Sequence, residues 1–309
     1  MRTDTTAANP YLLLMTTMML WGGAFSSSKV VVDAVPHTVG AFLRFGGGAL
    51  ALLVVVRLYD RRQTPVPARK LWLGAAAGVL GVFAYNAFFF WGLSLAPSLD
   101  AGILIPVLSP VLTTAFLLVS GREKANRARV VGLSLGLVGA VIFFLGAGGA
   151  TSAGPQRLPG DALFLLSAVC WAAYTLAGPR VMAGIAPLRA TTYATCAGAV
   201  MLGALAVPDM ATVDWTALPS LVWANVGYLA IGGAAVANLL YYRGVAAVGP
   251  ARASLMMFSV PVVNTLCATL ILGESLGWLQ AAGACVLLTG AFLALTQGRL
   301  PGLRRPVSP

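Results

Sequence analysis

Two stretches of this chain read alike: SPVLTTAFLLVSGRE at residues 109–123 and VPVVNTLCATLILGE at residues 260–274. In each, a proline opens an apolar run that closes on glycine and glutamate. The same spacing separates Pro110 from Pro261 and Glu123 from Glu274, and it is close to half of the 309-residue length. The echo extends outward. Trp21 returns as Trp171, NAFFFWGL (86–93) as NLLYYRGV (238–245), and Gly132 and Gly139 as Gly283 and Gly290.

Composition says what medium the two copies live in. Charged residues make up 9% of the chain, against about 25% in an average soluble domain, while 59% are hydrophobic. Mean hydropathy is +0.86. So few charges cannot cover a water-facing surface, and the chain is read as an all-α integral membrane protein. Crossing about 30 Å of hydrocarbon takes roughly 20 apolar residues. Ten such runs are present, at about 11–33, 38–58, 71–93, 98–119, 128–146, 160–182, 187–206, 219–246, 250–271 and 276–296. Helix is the expected conformation, because lipid offers no partner to an open backbone amide. The first run is too long, and its flank too weakly basic, for a cleaved signal peptide, so it is read as a retained helix.

The net charge of +11 raises the question of a nucleic-acid partner, and its distribution answers against one. Arg57, Arg61, Arg62, Arg69 and Lys70 follow the second run, and Arg122, Lys124, Arg127 and Arg129 follow the fourth. Lys29 and Arg157 stand on the other side. This bias places both termini in the cytoplasm and the protein in the plasma (inner) membrane. Cys170, Cys196, Cys267 and Cys285 each sit alone in a different run, without CxxC spacing or a histidine cluster. They are read as small buried hydrophobes, with no metal and no cofactor.

Each copy holds five runs, and five is odd, so the second copy must enter the membrane from the opposite side. The expected architecture is two inverted five-helix repeats around a central cavity. The first repeat spans 11–146 and the second 160–296, with a linker at 147–159 and a tail at 297–309. Inverted repeats are a common transporter design, with substrate near the midplane; a duplicated scaffold without transport is the plainer alternative. At this point WGGAF (21–25), Arg44-Phe45, the SP and VP prolines and the GRE and GE endings resemble the drug/metabolite transporter superfamily, and the two repeats resemble its EamA-type branch. The resemblance covers about residues 11–296. It implies export of small metabolites, often amino acids, through a central cavity, with the fifth and tenth helices at the periphery.

A rise of about 1.5 Å per residue converts position into depth. Trp21, Trp171, Pro110 and Pro261 then all fall near the midplane. An interior proline bends its helix and frees a carbonyl, so Pro110 and Pro261 are candidate hinges, with ordinary packing kinks as the alternative. Trp21, Phe25 and Ser28 share one helical stripe, as do Trp171, Tyr174 and Gly178. Ser109 adjoins the first hinge. Asn86 with Tyr85 and Phe89, and Asn238 with Tyr241 and Tyr242, are candidate gates on opposite sides. An interfacial aromatic belt is the competing explanation for any single ring.

Arg44 lies within the second run, where a charge is costly and marks a function or a fixed partner. It could attract a substrate carboxylate or phosphate, or pair with Asp33, which is i, i+4 from Lys29, or with free carbonyls at a helix end. No acidic residue is read as lying deep in a run, with Asp33, Asp100, Glu123 and Glu274 all near helix ends. Coupling through an intramembrane carboxylate is therefore not expected, and facilitated diffusion or exchange is. Gly74/Gly78 and Gly132/Gly136 form GxxxG pairs, read as packing within a monomer, with a dimer seam as the alternative. The leading function is export of small neutral or zwitterionic metabolites, amino acids with apolar or aromatic side chains. The alternatives are an organic-anion or phosphate exchanger using Arg44 and Lys29, and a non-transporting membrane sensor. No run offers the paired groups an intramembrane enzyme would need.

Overall fold

The fold comes from a computed structural model, which describes residues 9–59, 67–122, 124, 126–149, 156–181, 185–248 and 256–296. Among the described residues ten helices follow one another. The first five are α1 (Pro10–Val32), α2 (His37–Tyr59), α3 (Ala68–Leu95), α4 (Ser98–Val119) and α5 (Arg127–Gly149). The second five are α6 (Arg157–Val181), α7 (Pro187–Met210), α8 (Ser220–Gly227, running on to Val248), α9 (Ser259–Leu272) and α10 (Trp278–Thr296). Eight of the described helices are long and apolar enough to cross a membrane, and α9 is a shorter apolar helix. Residues 250–255, which the sequence reading placed in the ninth span, lie outside the described residues, as do Glu123 and residues 150–155 of the linker.

With an even number of spans, α1 begins and α10 ends at one face, called here the terminal face. The opposite, distal face gathers the end of α1 and the starts of α4, α6 and α10. There Lys29 Nζ donates to Leu93 O at the end of α3 (3.1 Å), and Arg157 meets Asp100 (2.7 Å). The halves interleave: α1 packs against α8 and α9, while α6 packs against α3 and α4. The first helix of each half thus lies on the third and fourth helices of the other, as inversion requires.

The opening stretches end alike. Gly121 (φ 68°) and Gly273 (φ 67°) both adopt the left-handed conformation that closes a helix without a Cβ penalty. Beyond Gly273, Glu274 reaches the start of α4, where Oε1 accepts from Ser98 N (2.9 Å) and Oε2 from Leu99 N (2.8 Å) and Ser98 Oγ (3.0 Å). A carboxylate from one half therefore satisfies free amides of a helix in the other, at the positive end of its dipole. Glu274→Ala is expected to lower stability by about 1 kcal/mol, the scale of a lost N-cap, as a reduced thermal midpoint in detergent.

Three expectations are corrected or refined. Pro110 does lie inside its helix, with Pro106 one turn earlier. Pro261 instead sits in the first turn of α9, just after a turn at residues 257–258. An early-turn proline loses no intrahelical bond, so the helix is broken before Pro261 rather than bent at it. Asp100 and Asp161 do lie near helix starts, as expected of acids kept out of the deep runs, yet both are 0% exposed. Their burial is possible because Arg157 and Gln280 converge on Asp100. Finally, α5 and α10 pack mainly on each other, and the approach is glycine to backbone. A Cβ on Gly139 would stand 2.3 Å from Leu287 N, and one on Gly290 2.3 Å from Gly136 N.

Candidate functional site

The repeat shows most clearly in the backbone of the third helices. In α3, residues Val79–Ala84 wind as a π-helix, and in α8 residues Tyr228–Val236 do the same. Wide turns of this kind are rare and concentrate at functional sites. They leave carbonyls short of partners, and the sequence supplies the same remedy twice. Asn86 Nδ2 donates to Val82 O (2.7 Å) and Asn238 Nδ2 to Ala234 O (2.6 Å). From the first helix of the other half, Ser167 Oγ donates to Tyr85 O (3.2 Å) and Thr17 Oγ1 to Ala237 O (3.3 Å). Each hydroxyl stands one turn before a tryptophan, Trp171 or Trp21. Repeated positions thus clasp each π segment to a first helix.

Around these segments the candidate residues form a wall of rings. Phe25 meets Phe89 edge-on (5.6 Å), and Phe89 stacks with Tyr85 (6.0 Å). Tyr85 leans on Trp171 (5.3 Å), and Trp171 on Tyr174 (5.6 Å). Across the interface Trp21 lies 5.1 Å from Tyr241, while its indole N–H donates to Gly233 O within the π segment of α8 (3.2 Å). Trp21 is therefore positioned by the very backbone it covers. Phe25 and Phe89 are buried, whereas Trp21, Tyr85, Trp171, Tyr174 and Tyr241 are only half-buried. The side chain of Tyr242 lies outside the described residues, as does Gly178's surrounding. Ser109 is buried and gives its hydroxyl to Ile105 O one turn back (2.6 Å).

Arg44 enters this wall from α2. Its guanidinium lies over the rings of Phe45 (5.0 Å) and Phe89 (5.7 Å), and Nη1 donates to Ser28 Oγ (3.2 Å). Ser28 in turn donates to Ala24 O (2.7 Å). Among the described residues no carboxylate reaches Arg44, and its Nε has no partner. Asp33 pairs instead with Lys29 (2.6 Å), whose Nζ also holds Leu93 O. The Lys29–Arg44 cluster considered from the sequence thus divides into one paired cation and one unpaired. Ser28, Phe25, Arg44, Phe89, Tyr85, Trp171 and Tyr174 come together, and Asn86, Asn238 and Ser109 serve their own helices.

Sequence reasoning missed the π segments, Thr17, Ser167, Tyr228 (whose hydroxyl donates to Leu20 O, 2.8 Å) and the buried Asp161. A signal was available for the first: Gly81 and Asn86 recur at the same spacing as Gly233 and Asn238.

The comparisons with known proteins match this architecture half by half. The model of the EamA-like transporter family matches residues 9–145 and again residues 158–296. The chain belongs to the EamA-like transporter family. It is a multi-pass membrane transporter, and its family is one of transporters rather than enzymes. It is 25% identical to the uncharacterized transporter YyaM of Bacillus subtilis, over 95% of each chain. It is 28% identical to the uncharacterized inner membrane transporter YedA of Escherichia coli K12, over 95% of this chain and 92% of that one. An uncharacterized protein of Pseudomonas aeruginosa is 33% identical over 85% of each chain. The crystal structure of another protein shares the fold, with a TM-score of 0.62 at 23% identity, covering 94% of this chain and 97% of its own.

Proposed function

We propose that this EamA-like transporter exports small zwitterionic or neutral metabolites, above all amino acids with apolar or aromatic side chains, by alternating access between its inverted halves. The observation that carries the reading is Arg44: a half-buried cation that meets no acidic partner among the described residues, set in an aromatic wall. One free cation suits one carboxylate, and the rings suit an apolar side chain. An organic-anion or phosphate exchanger would call on Lys29 as well, and Lys29 is already held by Asp33. The E. coli relative named as an inner membrane transporter and the positive charges at the terminal face support a plasma-membrane location with both termini cytoplasmic. The monomer is the proposed working unit, because the glycine seam of α5 and α10 is filled from within the chain. Pro110 and the break before Pro261 are the proposed hinges.

Flux is proposed to run by facilitated diffusion or exchange. The buried acids Asp100 and Asp161 lie at the distal helix starts, away from the ring wall, and among the described residues no carboxylate joins that wall. Purified protein in liposomes, screened with labelled amino acids, phosphates and hydrophobic amines, tests the substrate class, with Trp21→Ala and Trp171→Ala as controls. Amino acids are expected to be taken up and phosphates not. Under an imposed pH gradient, the final accumulation ratio of the transported amino acid is expected to stay near unity. Accumulation that follows the gradient would overturn the uncoupled mechanism.

A further inference from the structure

The distal starts of α4, α6 and α10 enclose a polar cluster that transport through the ring wall does not use. Arg157 grips Asp100 with both prongs, Nε to Oδ2 at 2.7 Å and Nη2 to Oδ1 at 2.8 Å. Gln280 Nε2 adds a third bond to Asp100 Oδ1 (3.3 Å). Asp161, one turn beyond Arg157, lies close enough to Asp100 for the two carboxyl groups to interact. Asp100, Asp161 and Gln280 are 0% exposed and Arg157 only 6%. Yet no N–H or O–H among the described residues reaches either oxygen of Asp161.

Ionised carboxylates only accept. Two of them in contact, with one guanidinium already engaged by the first, can coexist away from water only if one holds a proton. The remaining groups do not change this count. Glu274, capping α4 beside the cluster, adds negative charge. Beside Asp161, α3 brings Gly92 and Ala96 against Gly160, and beside Gln280, α5 brings Gly146, none of them charged. Among the described residues Arg157 is the cation acting on the pair.

We propose that Asp161 is a proton-binding site: it shares one proton with Asp100 while the distal starts of α4 and α6 are packed together, and loss of that proton drives them apart. Asp100 belongs to the first half and Asp161 to the second, so a movement between halves separates the pair. The inference rests on the alternating access proposed above, though not on the substrate. Its sign follows from linkage. The closed distal end binds the proton more tightly, so acid favours closure and alkali favours opening, by at most about tenfold per pH unit for a single proton. A latch of this kind alters the rate of exchange and leaves its end point unchanged.

The test uses the full-length protein in liposomes at neutral pH. Infrared spectra are expected to show a protonated carboxylic-acid band that disappears in Asp161→Asn and persists in the control Asp209→Asn. In parallel, Ile103→Cys, on the buried distal half of α4 (3% exposed) and in a background without the native cysteines, is labelled with a membrane-impermeant maleimide. Expressed relative to a solvent-exposed cysteine, so that thiolate formation cancels, labelling is expected to rise with pH by up to about tenfold per unit, and to be low and flat with Asp161→Asn added, since the amide mimics the protonated acid. If that variant does not fold, Asp100→Asn serves, because its amide can donate to Asp161 and the band should vanish without the proton. A band unchanged in both variants, or an equal pH response in the presence of Asp161→Asn, overturns the proposal. If L-phenylalanine uptake is absent while the band and the pH response hold, the substrate reading falls and the proton site stands.

Discussion

Replacing Arg44 with alanine is expected to raise the half-saturating concentration of L-phenylalanine about 10- to 150-fold, leaving residual flux at high substrate. The size follows from a charge-assisted hydrogen bond, worth about 1.5–3 kcal/mol. The same substitution should not destabilise the protein. Arg44 makes one hydrogen bond among the described residues and meets no carboxylate, so removing it relieves a costly partly buried charge and breaks no ion pair. Weaker binding with an unchanged or raised thermal midpoint is thus the signature of a substrate ligand. A structural cation would give the reverse, a fall in midpoint with the half-saturation unchanged. Arg44→Lys should fall between wild type and alanine, because an ammonium keeps the charge without the planar fork.

The second large effect is in stability, and it divides two neighbouring glycines. Gly139→Ala places a methyl group 2.3 Å from Leu287 N and 2.9 Å from Gly283 O, both backbone atoms that cannot swing aside. Gly136→Ala meets only Val111, with 3.4 Å to the nearest atom, an ordinary contact. Overpacking of the first kind costs about 1–3 kcal/mol, or roughly 2–10 °C in thermal midpoint, and the second should be near neutral. Differential scanning fluorimetry in detergent measures both. Equal effects would mean that α5 and α10 do not meet through this seam. The contrast also refines the sequence pattern. Gly132/Gly136 is the conspicuous GxxxG pair, yet Gly132 and Gly139 are the positions pressed against α10, opposite their own repeats Gly290 and Gly283.

What could be read from the sequence was whatever the duplication wrote twice. The helices, their inversion and the pairing of Trp21 with Trp171 follow from apolar runs and recurring residues. The π segments were hidden because their winding is a property of backbone bonding, and residues such as Val79, Leu80 and Val82 suit an ordinary turn equally well. Asn86 and Asn238 were recognised as a pair and given gate roles, whereas their amide nitrogens bind carbonyls of their own helices. The burial of Asp161 was hidden for a different reason. Its environment is assembled from α4, α6 and α10, and nothing near residue 161 announces Asp100 or Gln280. Arg44 stood out as a charge in an apolar run, but only the pairing of Lys29 with Asp33 shows that this acid is not its partner.

The returning stretches at 109–123 and 260–274 differ in structure in one respect: Pro110 stays within a continuous helix, and Pro261 follows a break. An alternating-access carrier tolerates such asymmetry, since only one face is open at a time. The claim that the ring wall with Arg44 moves a zwitterion is tested most directly by counterflow. Liposomes containing the purified protein are loaded with unlabelled L-phenylalanine, and entry of labelled L-phenylalanine is followed. The expected result is transient accumulation of label, competed by other apolar amino acids and not by phenylalanine amide, which lacks the carboxylate. Absence of accumulation, or equal competition by the amide, would contradict the account.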